Sequence, residues 1–206
     1  MNAPLSAAPS RAAPADPHDP LQWLLSRQSC WPLSEPAPGD HELDTIFDAA
    51  LRAPDHANLR PWRFVVIRGA ARHALGDVLV RLADARAPDD PPGSHDHRRQ
   101  KALAAPVIIA LAAAVNRASK VPEVEQLLAV GAATMNMLNA IHMLGYGGFW
   151  ATGADSYEAD MHDALGFGPD ERLLGFLFVG TPPARANRVV RPARDAFVRE
   201  WRGLQP

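Results

Sequence analysis

The sequence predicts an α+β layered domain, in which a small sheet is covered by more helix than strand. Three observations carry this. Four short apolar runs have strand length, the longer amphipathic stretches repeat at helical spacing, and proline and glycine punctuate the joints between them. At 206 residues with 47% apolar composition, one domain with a full core is expected.

The elements follow in order. Met1 to Pro20 is rich in Ala and Pro, has Arg11 as its only Lys or Arg, and lacks the apolar core of a signal peptide. It reads as a disordered leader, so the domain is set at residues 21–206. After Asp19-Pro20, Leu21, Leu24 and Leu25 share one face of a short helix over Leu21 to Gln28 with a proline entry. Leu33 to Asp40 is a proline-rich turn region. A helix from about Asp40 to Ala53 carries Leu43, Ile46, Phe47, Ala50 and Leu51 at helical spacing. Phe64 to Ile67 is the first strand, and Ala70 to Ala85 the next helix.

Pro88 to Gly93 is an exposed loop that His95-Asp96-His97-Arg98-Arg99 continues. His95 and His97 are candidate metal ligands, but outside a strand that spacing fits a solvated polar loop better. Pro106 to Ala112 is continuously apolar, as in a strand covered on both faces. Glu123 to Leu144 is the longest helix. Val124, Leu127, Leu128, Gly131, Met135, Leu138 and His142 form one stripe, and further apolar residues cover most of the remaining circumference. Such a helix must be buried, either centrally or against a second subunit. Gly148 to Thr152 is the third strand, Tyr157 to Leu165 a short helix, and Leu173 to Val179 the fourth strand. The tail from Thr181 is arginine-rich. It reads as a solvated extension over a partner subunit in preference to a phosphate or nucleic-acid module.

Composition excludes several classes. A formal net charge of −2 gives no global attraction to nucleic acid or an acidic membrane. The single Cys30 rules out an internal disulfide and a cysteine-built zinc site, and the expected compartment is cytoplasmic. No apolar run approaches the length needed to span a bilayer. A Walker loop, a Gly-x-Ser-x-Gly elbow, His-Glu-x-x-His and Gly-x-Gly-x-x-Gly after a strand are all absent.

The chemistry-bearing residues fall into three segments. Arg27-Gln28-Ser29 closes the first helix. Arg52-Ala-Pro-Asp-His56-Ala-Asn-Leu-Arg-Pro-Trp62 is a polar loop braced by prolines at both ends. Gly147-Gly148-Phe149-Trp150-Ala151-Thr152-Gly153 offers an aromatic wall and glycine-flanked backbone. Together they supply what a flavin mononucleotide needs. Guanidinium and hydroxyl groups suit its phosphate, and an apolar wall with backbone N–H groups suits its ring. Each also has a plainer reading taken singly: Arg52 as a helix C-terminal cation, Asp55-His56 as a turn, Trp62 and Trp150 as core aromatics.

In this order and at these distances, the segments resemble the nitroreductase family, specifically its short branch of NAD(P)H nitroreductases. The likeness extends over roughly Leu21 to Pro182. It includes Val121-Pro122-x-x-Glu125-Gln126 and Gly175-Phe176-x-x-x-Gly180-Thr181-Pro182. Two positions depart from the branch: Gln28 where it often has a second Arg, and Ala151 where it often has Arg. The resemblance implies a mostly antiparallel central sheet flanked by helices, a homodimer with sites at its interface, and FMN as cofactor. It further implies NAD(P)H as co-substrate and a small-molecule oxidant such as a nitroaromatic or quinone. Arg27, Gln28, Ser29, Arg52 and His56 are implied as phosphate and flavin-edge contacts, with Trp150, Ala151 and Thr152 along the ring. No side-chain acid or base is required, because the flavin carries the chemistry. A flavin carrier without turnover, and a hydrolase built on Ser29 with Asp55-His56, are the competing readings.

Overall fold

The computed structural model describes residues 19–184 and 189–203. The leader over 1–18, and Arg185 and Arg188 of the tail, lie outside the described residues. Four antiparallel strands form one sheet in the order β1-β2-β4-β3, with β1 Trp62–Arg68, β2 Val107–Ala114, β3 Gly147–Ala151 and β4 Glu171–Gly180.

Strand alternation divides the core into two. Ile108, Ala110 and Ala112 of β2, with Phe176 and Phe178 of β4, pack against Leu75, Leu79 and Leu82 of helix α3 (Ala71–Arg86). Ile109 and Leu111, with Leu177 and Val179, pack against Leu43 and Ile46 of α2 (Asp40–Ala50) and Met137 and Ile141 of α5 (Glu123–Met143). β2 is thus covered on both faces, as its unbroken apolar run requires.

Helix ends are capped locally. Asp19 Oδ1 accepts from the Leu21 N–H at 2.9 Å, with Pro20 opening α1 (Pro20–Ser26). Glu42 Oε2 accepts from the Gly39 N–H at 2.8 Å ahead of α2. α5 carries Glu123 and Glu125 in its first turn, where the helix dipole favours anions.

The polar stretch after His95 differs from expectation. A short turn at Asp96–Arg98 leads into a helix, α4 (Arg99–Leu103). Arg99 anchors it by donating from Nε to Asp77 Oδ1 at 2.8 Å and by pairing with Asp96. His95 is held by carboxylates, Nδ1 to Asp84 at 2.9 Å and Nε2 to Asp90 at 3.3 Å. The last helix, α6 (Ala159–Ala164), follows a turn over Ala154–Tyr157.

A β-bulge interrupts the β2–β4 ladder: Leu111 pairs with Gly175 and Ala112 with Leu173, leaving Leu174 between them. The Leu174 carbonyl accepts from Trp150 Nε1 at 3.2 Å. The bulge therefore aims a β3 side chain, a common use of such irregularities beside functional sites.

No helix among the described residues is long and apolar enough to cross a membrane.

Candidate functional site

The first predicted segment lies against the third. Beyond the C-terminal end of α1, the Cys30 N–H donates to the Gly148 carbonyl at 3.3 Å, tying residues 27–30 to the start of β3. The approach is close enough to require glycine. A Cβ on Gly147 would stand 2.7 Å from Leu33 Cδ2 and 3.2 Å from Cys30 Cβ.

Arg27 caps α1 in an extended conformation and is half-buried. Its Nη1 is buried and has no hydrogen-bond partner among the described residues. The tail returns here. Arg191 Nη2 donates to the Arg27 carbonyl at 2.9 Å. Burial, and then the neighbouring Arg191 charge, push the Arg27 guanidinium below its ordinary pKa. Two guanidinium groups converge with no carboxylate paired to either among the described residues, and a buried donor left unsatisfied is costly. Such a place suits an anion. Sequence reasoning preferred a solvated extension for the arginine-rich tail over a phosphate-binding one and did not join Arg191 to Arg27; its one signal was a run of arginines opposed by few acids.

The ring-wall residues sit at the end of β3. Trp150 is 38% exposed, which removes its reading as a core aromatic, whereas Trp62 is half-buried among the core clusters. Behind the wall, Gly175 has φ 119°, and a Cβ there would meet the Ala151 carbonyl oxygen at 2.6 Å and Thr152 Cγ2 at 2.8 Å. Only glycine suits both the left-handed backbone and the contact. Ala151 is half-buried against the core, and Thr152 is exposed.

The Arg52-to-Trp62 loop is braced, strained and elsewhere. Ala57, Asn58 and Arg60 have positive φ (62°, 52° and 50°), while Asp55 Oδ2 accepts from the Arg60 N–H at 2.7 Å. Non-glycine residues held in this region cluster at functional sites. His56 Nδ1 meets Glu125 Oε2 at 2.6 Å, at the N-terminal end of α5. Ser26, next to Arg27, meets His142 Nε2 at 2.9 Å, at the C-terminal end of the same helix. At about 1.5 Å per residue, these two α5 positions are about 25 Å apart. Within one chain, the segment of Arg27, Gln28 and Ser29 is therefore tied to the start of the strand that carries Trp150 and Ala151, and His56 lies at the far end of α5. Arg52 is exposed on the His56 side, just after α2.

A single antiparallel sheet between helical layers, with the orphaned Arg27 guanidinium near Arg191 at one end of α1 and Trp150 exposed on β3, is the arrangement of an α+β protein of the nitroreductase-like class. A model of the nitroreductase family matches residues 24–181, and the chain belongs to that family. It is 37% identical over 181 residues to the "Putative NAD(P)H nitroreductase YdjA" of Escherichia coli, covering 87% of this chain and 98% of that one. Among solved structures, a putative nitroreductase in complex with FMN from Desulfovibrio desulfuricans superimposes with a TM-score of 0.66 at 27% identity, covering 88% of this chain and 96% of that one. A nitroreductase-like family protein from Bacillus cereus shares the fold, with a TM-score of 0.77 at 18% identity, over 90% of this chain and 97% of that one.

Proposed function

We propose that the protein is an FMN-dependent oxidoreductase that takes reducing equivalents from NAD(P)H and passes them to a small oxidant such as a nitroaromatic or quinone. The observation that carries this reading is the buried Nη1 of Arg27, without a hydrogen-bond partner among the described residues, in a residue whose carbonyl Arg191 holds. A phosphate dianion satisfies that donor and neutralises both cations. In this reading Arg27 and Arg191 hold the phosphate, Ser29 adds a hydroxyl and Gln28 an amide. Trp150, Ala151 and Thr152 line the ring and exclude water from one side. When bound, the flavin supplies hydride acceptance and donation. The FMN complex of the Desulfovibrio relative and the name of the Escherichia coli relative support this assignment.

The working unit in this reading is a homodimer. Val124, Leu128 and Met135 run along one exposed stripe of α5, at 59%, 65% and 37% exposure. A two-fold contact along that stripe buries it and carries the partner's Arg52 and His56 toward the Arg27 end of the helix. Glu125 engages Nδ1 of His56 and so orients the ring, leaving Nε2 for a ligand.

The absorption spectrum of the purified protein is the primary test. Yellow protein that releases FMN on denaturation and oxidises NAD(P)H when given a quinone or nitroaromatic supports the reading. Protein that stays colourless after incubation with FMN overturns it. Bound FMN with no NAD(P)H oxidation leaves a carrier.

A further inference from the structure

The loop between β2 and α5 walls a cleft of about 290 Å³ in which the flavin reading places nothing. Asn116, Arg117, Ser119, Lys120, Glu123 and Gln126 line it. Its floor is fixed by Gln126, a polar side chain buried at 2% exposure. Gln126 Oε1 accepts from the Asn116 N–H at 2.8 Å, and Nε2 donates to the carbonyls of Asn116 and Val121 at 3.2 and 3.1 Å. One amide thus pins both ends of the loop. Within the loop, Ser119 Oγ accepts from the Val121 N–H at 3.1 Å, and Asn116 Oδ1 from the Ala118 N–H at 3.0 Å. The backbone is held in place, and Arg117 and Lys120 project from it into solvent.

Charge in the cleft is unbalanced toward the positive. Lys120 is exposed and has no ion pair among the described residues. Arg117 meets Asp170 at only 3.9 Å with side chains 75% and 73% exposed, a pairing that contributes little in water. Glu123, the carboxylate in the lining, is drawn away by Arg172 Nη1 at 2.7 Å. Two cations and the Ser119 hydroxyl therefore remain for an incoming group. A phosphate monoester matches that set, because it accepts from each donor and brings the missing negative charge. The cleft is also well placed. Glu125, in the same turn of α5, holds His56, the residue that a two-fold dimer carries to the flavin of the other chain. In that dimer the cleft lies at the flavin-facing end of α5, apart from the Arg27 pocket.

We infer that this cleft receives the ribose 2′-phosphate of NADPH on Lys120 and Arg117, and so selects NADPH over NADH; this rests on the flavin reading above. The nicotinamide end of the nucleotide goes to the ring, and its adenosine end extends away from it. The 2′-phosphate is the one group that separates the two nucleotides. Cations that bind it decide which nucleotide is used and leave hydride acceptance to the flavin.

The test pairs binding with kinetics on FMN-loaded full-length protein. Calorimetric titration with adenosine 2′,5′-bisphosphate is expected to show saturable binding at least about tenfold tighter than with 5′-AMP, as two charged hydrogen bonds require. Lys120→Met is expected to remove that difference, Arg117→Met to narrow it, and Lys120→Arg to keep it. In steady state, the KM for NADPH relative to that for NADH is expected to rise about tenfold in Lys120→Met. A role confined to the loop's own fold predicts lower thermal stability, with both KM values moving together, and that pattern overturns the inference. Inorganic phosphate that displaces the bisphosphate at equal concentration marks a simple anion site and overturns the nucleotide assignment. Parent protein that carries FMN but does not distinguish the two adenosine nucleotides, or NADPH from NADH, overturns this inference alone. Parent protein that takes up no FMN overturns the flavin reading and this inference with it.

Discussion

Arg191 reaches across from the C-terminal tail to donate a hydrogen bond to the backbone carbonyl of Arg27 at 2.9 Å, bringing a second cation near the Arg27 guanidinium. Burial first, and then repulsion from Arg191, hold the Arg27 guanidinium below its ordinary pKa, and an arriving anion offsets both. The C-terminal tail is therefore part of the cofactor pocket in the flavin reading.

Arg27→Ala should weaken FMN binding by about 1.5–3 kcal/mol, the usual worth of a hydrogen bond to a charged group. Ser29→Ala should cost less. Quenching of FMN fluorescence on titration into apoprotein gives both constants, and an unchanged Kd for Arg27→Ala places the phosphate elsewhere.

Arg191→Ala should also weaken FMN, and its effect should not add to that of Arg27→Ala. Residues sharing one partner couple by about 0.5–3 kcal/mol in double-mutant cycles. Strict additivity in the cycle means the two arginines do not share a ligand.

Leu128→Glu should dissociate the protein. Leu128 is 65% exposed in the single chain and lies mid-stripe on α5. Facing itself across a two-fold axis, it would bring two carboxylates into an apolar contact. Light scattering at micromolar concentration should report a dimer for the parent and a monomer for the variant, with FMN lost from the variant. A parent monomer that retains FMN contradicts the shared site.

Gly175→Ala should destabilise the fold by at least about 2 kcal/mol, because the new Cβ meets both an unfavourable backbone region and the Ala151 carbonyl. Urea denaturation measures this. The flavin absorption envelope should change with it, because the displaced atoms belong to the ring wall.

Ala151→Arg should keep FMN while raising its potential or altering the ratio of quinone to nitroaromatic activity, as a cation is added beside the ring. If potential and ratio are both unchanged, Ala151 does not face the flavin.

Most of the fold was legible because its signals are local. The apolar run of β2 announces a strand buried on both faces, and the apolar α5 announces a buried helix, which packs against α2 and the sheet and leaves Val124, Leu128 and Met135 exposed. What was not legible depended on distant partners. The polar run through Arg99 has the composition of a loop, and becomes helical at α4 with Arg99 anchored by Asp77 from α3. The Leu174 bulge is set by sheet register, which no single segment encodes. Of the proposed site, Arg27 and Trp150 were singled out from residue type and order. Arg191 was not, because nothing in an arginine-rich tail states which carbonyl it will meet.

The length of α5 has one more consequence. If each pocket takes His56 from one chain and Arg27 from the other, cofactor and partner are bound by the same equilibrium. Dilution releases flavin, and excess flavin holds the subunits together, by mass action alone. The amount of colour per chain then reads out the state of assembly.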